Sequence, residues 1–172
     1  YENPRETFET NILGSINLLE SVRTTETIKS LVYITSDKCY ENVEWLWGYR
    51  ENDTLGGRDP YSASKGSAEI VFSSYLRSYF HEIKDLGAAS ARAGNVIGGG
   101  DWSVDRIIPD CIRSIEKKEP LVLRNPNSTR PWQHVLEPLS GYLYLALKLI
   151  EDPDKYSDSW NFGPPSSQVR TV

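Results

Sequence analysis

Apolar residues recur at helical spacing from the start of the chain. Phe8, Ile12, Ile16 and Leu19 fall on one side of a helix predicted over 4–22, opened by Pro4 with Arg5 and Glu6 in its first turn. Asn11 and Gly14 lie near that stripe. Asn11 therefore needs polar partners, and Gly14 is expected to permit close helix-to-sheet packing. The pattern then changes. From Ser30, the β-branched and aromatic run Leu31-Val32-Tyr33-Ile34 reads as a buried strand that ends in Thr35-Ser36-Asp37-Lys38. Asp59 and Pro60 read as the cap and first turn of a helix that runs to about 82, with Ala63, Gly66, Ile70, Leu76 and Phe80 as its apolar or small contacts. The small residues of 87–97 suit a tightly packed central strand and its exit. A further helix is predicted over 104–117, with Ile107, Ile108, Cys111, Ile112 and Ile115 clustered and Pro120 ending it. A short strand at 121–124 and a turn at 125–128 follow. The last helix, 136–151, is expected to turn Leu139, Leu143, Ala146, Leu147 and Ile150 inward. Trp160 to Gly163 reads as a closing strand before a Pro-Pro turn. Strands alternating with helices predict an α/β fold with a parallel sheet.

Between the first strand and the helix at Pro60 lies a loop with an unusual aromatic load. Trp45, Trp47 and Tyr49 sit among the turn residues Asn52, Asp53, Gly56 and Gly57. Its aromatics either border a ligand cleft or cover a small satellite core.

Composition narrows the function classes. A 172-residue chain with 38% hydrophobic and 25% charged residues can bury a real core. A net charge of −5 argues against a general binder of nucleic acid or membrane surfaces. No apolar run approaches the ~18 residues that span a bilayer. Two cysteines, Cys39 and Cys111, make neither a disulfide framework nor a metal-ligand set. Cys39 reads as a reduced bystander.

Tyr61 and Lys65 stand one helical turn apart, on the same face. A phenol beside an ammonium is a way to build a base. A free Tyr titrates near ~10, and bringing it to about 7 takes roughly 4 kcal/mol of differential stabilisation. The ammonium and the helix N-terminus supply part of that, and a cationic ligand would have to supply the rest. In an open parallel sheet ligands sit outside the carboxyl ends of the strands. The first strand therefore delivers Ser36, Asp37 and Lys38 to the same end at which the next helix presents Tyr61 and Lys65.

At these residues the chain resembles the extended short-chain dehydrogenase/reductases. Ser36, Tyr61 and Lys65 match that family's Ser/Thr, Tyr and Lys. Ser36-Asp37-Lys38 directly after a strand is similar to the sugar-nucleotide 4,6-dehydratases within it. The deoxythymidine-diphosphate-glucose branch has Glu where this chain has Lys38. A Lys there, followed by Cys39-Tyr40-Glu41-Asn42, resembles the CDP-glucose branch, as does Trp132-Gln133-His134-Val135. The resemblance runs essentially from Tyr1 to Val172.

The resemblance implies a partial Rossmann-like doubly wound parallel sheet with part of a smaller sugar-nucleotide-binding lobe. Residues 1–96 would be the C-terminal half of an NAD-binding domain, and 97–172 mostly the sugar-nucleotide region. The first four strands and the glycine turn that cradles the cofactor phosphates would lie upstream, since no such glycine fingerprint occurs here. The C-terminus would be incomplete as well. NAD is the implied cofactor and CDP-glucose the implied substrate, in a cytoplasmic homo-oligomer that binds neither nucleic acid nor membrane. Asn11 would join Tyr61 and Lys65 on the cofactor side as the fourth polar member of the site; read from the residues alone it could equally be an exposed helical Asn. Asn95 would bind the substrate pyrophosphate, or be a turn former. Arg130, whose fork suits a diphosphate, could otherwise make a surface ion pair. His134 reads as a hydrogen-bonded structural residue.

The implied reaction has three stages. Tyr61 takes the proton of the sugar C4 hydroxyl as hydride passes to NAD. Water is then lost across C5 and C6, with Asp37 as the acid. Hydride finally returns to C6. Lys38 either acts as a neutral base at C5 or stays charged and stabilises the enolate. Two other readings stay open: a catalytically silent binding module, and an epimerase of the same superfamily, against which Asp37-Lys38 argues.

Overall fold

The structure is a computed structural model that describes residues 3–103, 106–123, 125–165, 167 and 169–172. A first helical segment runs through α1 (Pro4–Phe8), one π-helical turn (Glu9–Leu13) and α2 (Gly14–Arg23). β1 (Ser30–Ile34) ends in a 3-10 turn at Asp37–Cys39. α3 (Pro60–Ser78) follows the aromatic loop, and β2 (Gly87–Ala93) comes after it. β1, β2 and β6 (Ser159–Phe162) form one parallel sheet with β2 in the middle, Ser30 opposite Gly87 and Ser90 opposite Ser159. Each parallel step is joined by a crossover containing a helix, as parallel pairing requires.

Helices cover both faces of this sheet. On one face Leu19 and Val22 of α2 and Ala68 and Phe72 of α3 pack with Tyr33 and Ala88. On the other, Leu145 and Leu149 of α5 (Leu136–Glu151) pack on Ala89, with Val32, Trp160 and Phe162 around them. This is the doubly wound arrangement expected from the sequence. The small side chains of β2 let both helical layers approach, and Ala88, Ala89, Ser90 and Ala91 are fully buried. α6 (Pro153–Tyr156) bridges α5 and β6.

Beyond β2 the chain is less regular. β3 (Val96–Ile97) pairs with β5 (Gln133–His134), and β4 (Thr129–Arg130) pairs with β7 (Arg170–Thr171). α4 covers Ile107–Lys117 and closes on Lys118 in the left-handed conformation. Residues 121–123 are irregular instead of the expected strand, and Arg124 lies outside the described residues, as do Val104 and Asp105 of the helix predicted from 104.

Several inward faces differ from expectation. α5 has the predicted length, but its buried residues are Pro138, Leu145 and Leu149, while Leu143 is 71% exposed. The helix carries two apolar stripes of equal period, and the sheet took the one not chosen from the sequence. Ile70 of α3 is 60% exposed, whereas Ser64, Ala68, Glu69 and Phe72 are buried. The cluster on α4 also points outward, with Ile115 76% exposed. A Cβ on Gly14 would meet nothing within 4 Å, so that glycine does not serve close packing. β1 is half-buried, with Tyr33 its one buried residue, and among the described residues it pairs with β2 alone.

Candidate active site

The site starts at the N-terminus of α3. Asp59 caps the helix by accepting from the Ser62 backbone N–H at 3.0 Å and the Ser62 hydroxyl at 2.7 Å. Burial opposes its charge, but those bonds win and hold its carboxyl below the usual range. Pro60, with no N–H to lose, occupies the first position. Tyr61 therefore projects from the first turn and is 39% exposed. Lys65 follows one turn later, with Nζ 5.8 Å from the centre of the Tyr61 ring. Lys65 is half-buried. Burial lowers its pKa, and the Glu69 carboxylate only partly opposes this.

α1, the π-turn and α2 pack against α3. The π-turn carries Asn11, whose side-chain amide donates to Ser64 Oγ at 2.9 Å. Ser64 lies between Tyr61 and Lys65 in sequence and donates in turn to the Tyr61 carbonyl at 2.7 Å. Asn11 is thus half-buried and joined to the helix that bears the Tyr–Lys pair, rather than exposed. One wider turn in an α-helix is a frequent mark of a functional position.

The strand end supplies the second group. Ser36 is extended and caps the 3-10 turn, its Oγ accepting from the Lys38 backbone N–H at 3.2 Å and donating to Asp37 Oδ1 at 3.1 Å. Asp37 is half-buried and Lys38 exposed. α3 lies directly against this turn because residue 66 has no side chain: a Cβ on Gly66 would come within 2.9 Å of the Gly56 carbonyl and 3.2 Å of the Cys39 carbonyl. Cys39 is fully buried, and burial pushes its thiol up to about 12, which suits a bystander.

The third group lines a cavity of about 370 Å³ beyond β2. Asn95 and Arg130 lie in its wall with Gly98, Arg106 and Trp132. The wall is pinned by the β3–β5 pair, in which Gln133 N–H donates to the Asn95 carbonyl at 3.1 Å and Val135 N–H to the Ile97 carbonyl at 2.8 Å. Arg130 is half-buried and donates to the Thr129 carbonyl at 2.8 Å. His134 accepts from the Leu136 N–H at 3.3 Å, as expected of a structural histidine.

The strand end and the Arg130–Trp132 stretch approach one another at Gly94. A Cβ there would lie 3.3 Å from Asp37 Oδ2 and 2.7 Å from Pro131 Cγ, and Pro131 sits between Arg130 and Trp132. Asp37 is thereby brought close to Pro131, the residue between the cavity-lining Arg130 and Trp132. Asn11, Tyr61 and Lys65 stand on the helical side of the Asp37–Cys39 turn, and Asn95 and Arg130 on the cavity side.

The sequence reading missed a buried ionic group behind these residues. Glu69 and Arg92 pair at 2.6 Å in the interior. A charge at 69, one turn beyond Lys65 and flanked by the buried Ala68 and Phe72, was the available signal. Trp45 and Trp47 are exposed and contact one another, with ring centres 5.2 Å apart, so they cover no satellite core.

Comparison with known proteins agrees with this architecture. The NAD dependent epimerase/dehydratase family matches over residues 1–161, and the chain belongs to that family. Among its relatives is the CDP-glucose 4,6-dehydratase of Salmonella typhimurium, 55% identical over all of this chain and 49% of that protein. CDP-paratose 2-epimerase of Salmonella typhi is 30% identical over 59% of the chain and 33% of its own length. Among solved structures, dTDP-glucose 4,6-dehydratase of Bacillus anthracis in complex with NAD superposes with a TM-score of 0.76. It is 24% identical over 95% of this chain and 49% of its own. UDP-glucuronic acid 4-epimerase of Bacillus cereus gives a TM-score of 0.77 at 18% identity, covering 95% of this chain and 48% of its own. These two likenesses concern the fold. The chain spans about half the length of the Salmonella typhimurium relative.

Proposed function

We propose that this chain is the catalytic centre of an NAD-dependent sugar-nucleotide 4,6-dehydratase acting on CDP-glucose. The observation that carries the reading is the approach at Gly94 of the Asp37 carboxylate to Pro131, whose neighbours Arg130 and Trp132 line the cavity. The neighbouring cavity, about 370 Å³, is within the ~300–1,000 Å³ typical of ligand pockets. The 55% identity to the Salmonella typhimurium enzyme supports the choice of CDP-glucose.

The residues fit the nicotinamide end of the cofactor. Lys65 is a half-buried ammonium whose one nearby countercharge among the described residues, Glu69, is already paired with Arg92, so its donors can meet ribose hydroxyls. Asn11 and Tyr61 stand beside it. NAD, when bound, supplies the hydride acceptor for C4 and the donor for C6.

Tyr61 takes the proton from the C4 hydroxyl, with Lys65 favouring the phenolate and Ser36 orienting the hydroxyl. The resulting C4 carbonyl acidifies C5–H. Asp37 then gives a proton to the departing C6 oxygen, and Lys38 serves at C5. Asn95 and Arg130 hold the diphosphate in the cavity, Arg130 through its planar fork. In this division of labour residues 1–96 carry the cofactor-side chemistry, and the substrate contacts lie within 97–172. α5 and β6 from that second stretch pack with the sheet. The enzyme is proposed to work in the cytoplasm as a homo-oligomer. No helix among the described residues is long and apolar enough to cross a membrane.

The test is incubation of the full-length protein carrying this chain with NAD and CDP-glucose in deuterated water, followed by mass spectrometry. The expected product is a 4-keto-6-deoxy sugar nucleotide, lighter by one water and carrying one deuterium at C5. An epimer of unchanged composition, or no turnover, would overturn the reading.

A further inference from the structure

The turn bearing Ser36, Asp37 and Lys38 is held at both ends by one buried ion pair. Glu69 accepts from Ser90 Oγ at 2.8 Å and from the Arg92 guanidinium at 2.6 Å. Its other oxygen accepts from the hydroxyl of Thr35, the residue just before the turn. Arg92 donates to the hydroxyl of Tyr40, the residue just after the turn, at 2.7 Å. It also donates to the Glu51 carbonyl at 2.9 Å and to Ser159 Oγ at 3.0 Å. The side chains of Glu69 and Arg92 are 1% and 3% exposed.

Such a pair is a poor stabiliser. Desolvating two charges cancels much of their attraction, and apolar replacements of similar volume are often neutral or better. Here burial opposes the Arg92 charge, yet the Glu69 carboxylate more than compensates and keeps it protonated. What the pair provides is direction. Thr35 and Tyr40 flank the turn on two sides, and each is tied to one half of the same rigid salt bridge. Arg92 also sits two residues before Gly94, so the same group fixes the strand whose exit faces Asp37.

We propose that Glu69 and Arg92 are positioning residues that clamp the Thr35–Tyr40 segment and so aim Ser36 and Asp37 at the substrate. The proposal rests on the dehydratase reading above for its kinetic consequence, though not for the clamp itself.

Cys39 makes the clamp measurable, since it lies inside the turn and is fully buried. In a Cys111→Ser background of the full-length protein, Thr35→Val combined with Tyr40→Phe removes both handholds and leaves the ion pair. The expected result is a kcat lower by about 10²-fold, the scale of a small misplacement of reacting groups. KM for CDP-glucose should stay near wild type, and Cys39, followed on its own peptide by mass spectrometry, should react faster with a thiol-specific disulfide reagent at a temperature well below the variant's melting point. Glu69→Met with Arg92→Met should repeat both effects if it folds. A kcat near wild type in the Thr35/Tyr40 variant overturns the proposal, and so does a lowered kcat with unchanged Cys39 labelling. Labelling needs no substrate. If the wild-type protein does not dehydrate CDP-glucose, the functional reading fails while labelling still decides the clamp.

Discussion

β2 ends at Ala93 and the cavity wall begins at Asn95, yet the two sides of that point are packed differently. On the sheet side Ala88 to Ala91 are sealed between two helical layers, and Phe72, Phe80, Leu19 and Leu149 are fully buried. On the cavity side Ile108, Ile112, Ile115 and Val122 are exposed, and the β-structure comes in two-residue pieces. Ser36, Asp37, Tyr61 and Lys65, the residues proposed to handle protons, ride on the sealed side. Asn95 and Arg130 ride on the open side. Proton transfer needs heavy atoms at hydrogen-bond reach, about 2.6–3.2 Å, and hence a rigid support. Holding a diphosphate can be left to a wall that opens locally at little cost.

If the comparison holds, changes on the sealed side act on rate and stability, and changes on the open side act on binding. The largest effect is expected from Tyr61→Phe in the full-length protein: kcat should fall by about 10²–10⁴-fold with CDP-glucose affinity nearly intact. Steady-state turnover together with equilibrium titration checks it, and wild-type turnover would remove Tyr61 from the role of base. Phe72→Ala should cost about 3–5 kcal/mol of stability, read from denaturant melts, because it opens a cavity between α3 and the sheet. Arg130→Ala should raise KM for the sugar nucleotide about 10–100-fold, the range of a lost charged hydrogen bond, and leave kcat nearly unchanged. An equal fall in kcat would show that the cavity side also sets the reaction geometry.

Lys65→Met is expected to lower turnover by less than Tyr61→Phe does, yet raise the melting temperature at neutral pH. Burial holds the folded-state pKa of Lys65 below its unfolded value. The unfolded chain therefore binds that proton more tightly. The stability linked to this group is present above the unfolded pKa of ~10.4 and is lost as pH falls through the folded value. The advantage of the Met variant should thus shrink as melts are taken toward pH ~10. The smallest effect should come from Ile115→Ser, within about 0.5 kcal/mol, since that side chain packs on little.

The legibility of the sequence followed the same divide. α3 and its cap were readable because Asp59-Pro60 is a local signal, and β2 because its small residues fit only a crowded strand. The placing of Ser36 and Tyr61 at one end of the sheet was expected from a topological rule, and their proposed roles came from the resemblance. α5 was found end to end, but its inward face was not, because two stripes of one period cannot be ranked without knowing where the sheet lies. The short strands β3 to β5 pair in two-residue contacts, too brief to leave an alternation. The charge at Glu69 was visible one turn beyond Lys65, but its partner Arg92 was not, because pairing between a helix and a strand leaves no trace in the spacing of either.

The wider turn at Glu9–Leu13 constrains how this helix can change. Each residue added to or taken from an α-helix rotates what precedes it by about 100°. Deleting one residue from this turn would give a more regular helix with better-formed hydrogen bonds. It would also swing Pro4 to Phe8 away from α3, or carry Asn11 off Ser64, depending on which half stayed in place. The irregularity can be kept whole or lost with the contact it serves, so single-residue deletions at Glu9–Leu13 should be tolerated far less well than substitutions at the exposed Glu9 and Thr10.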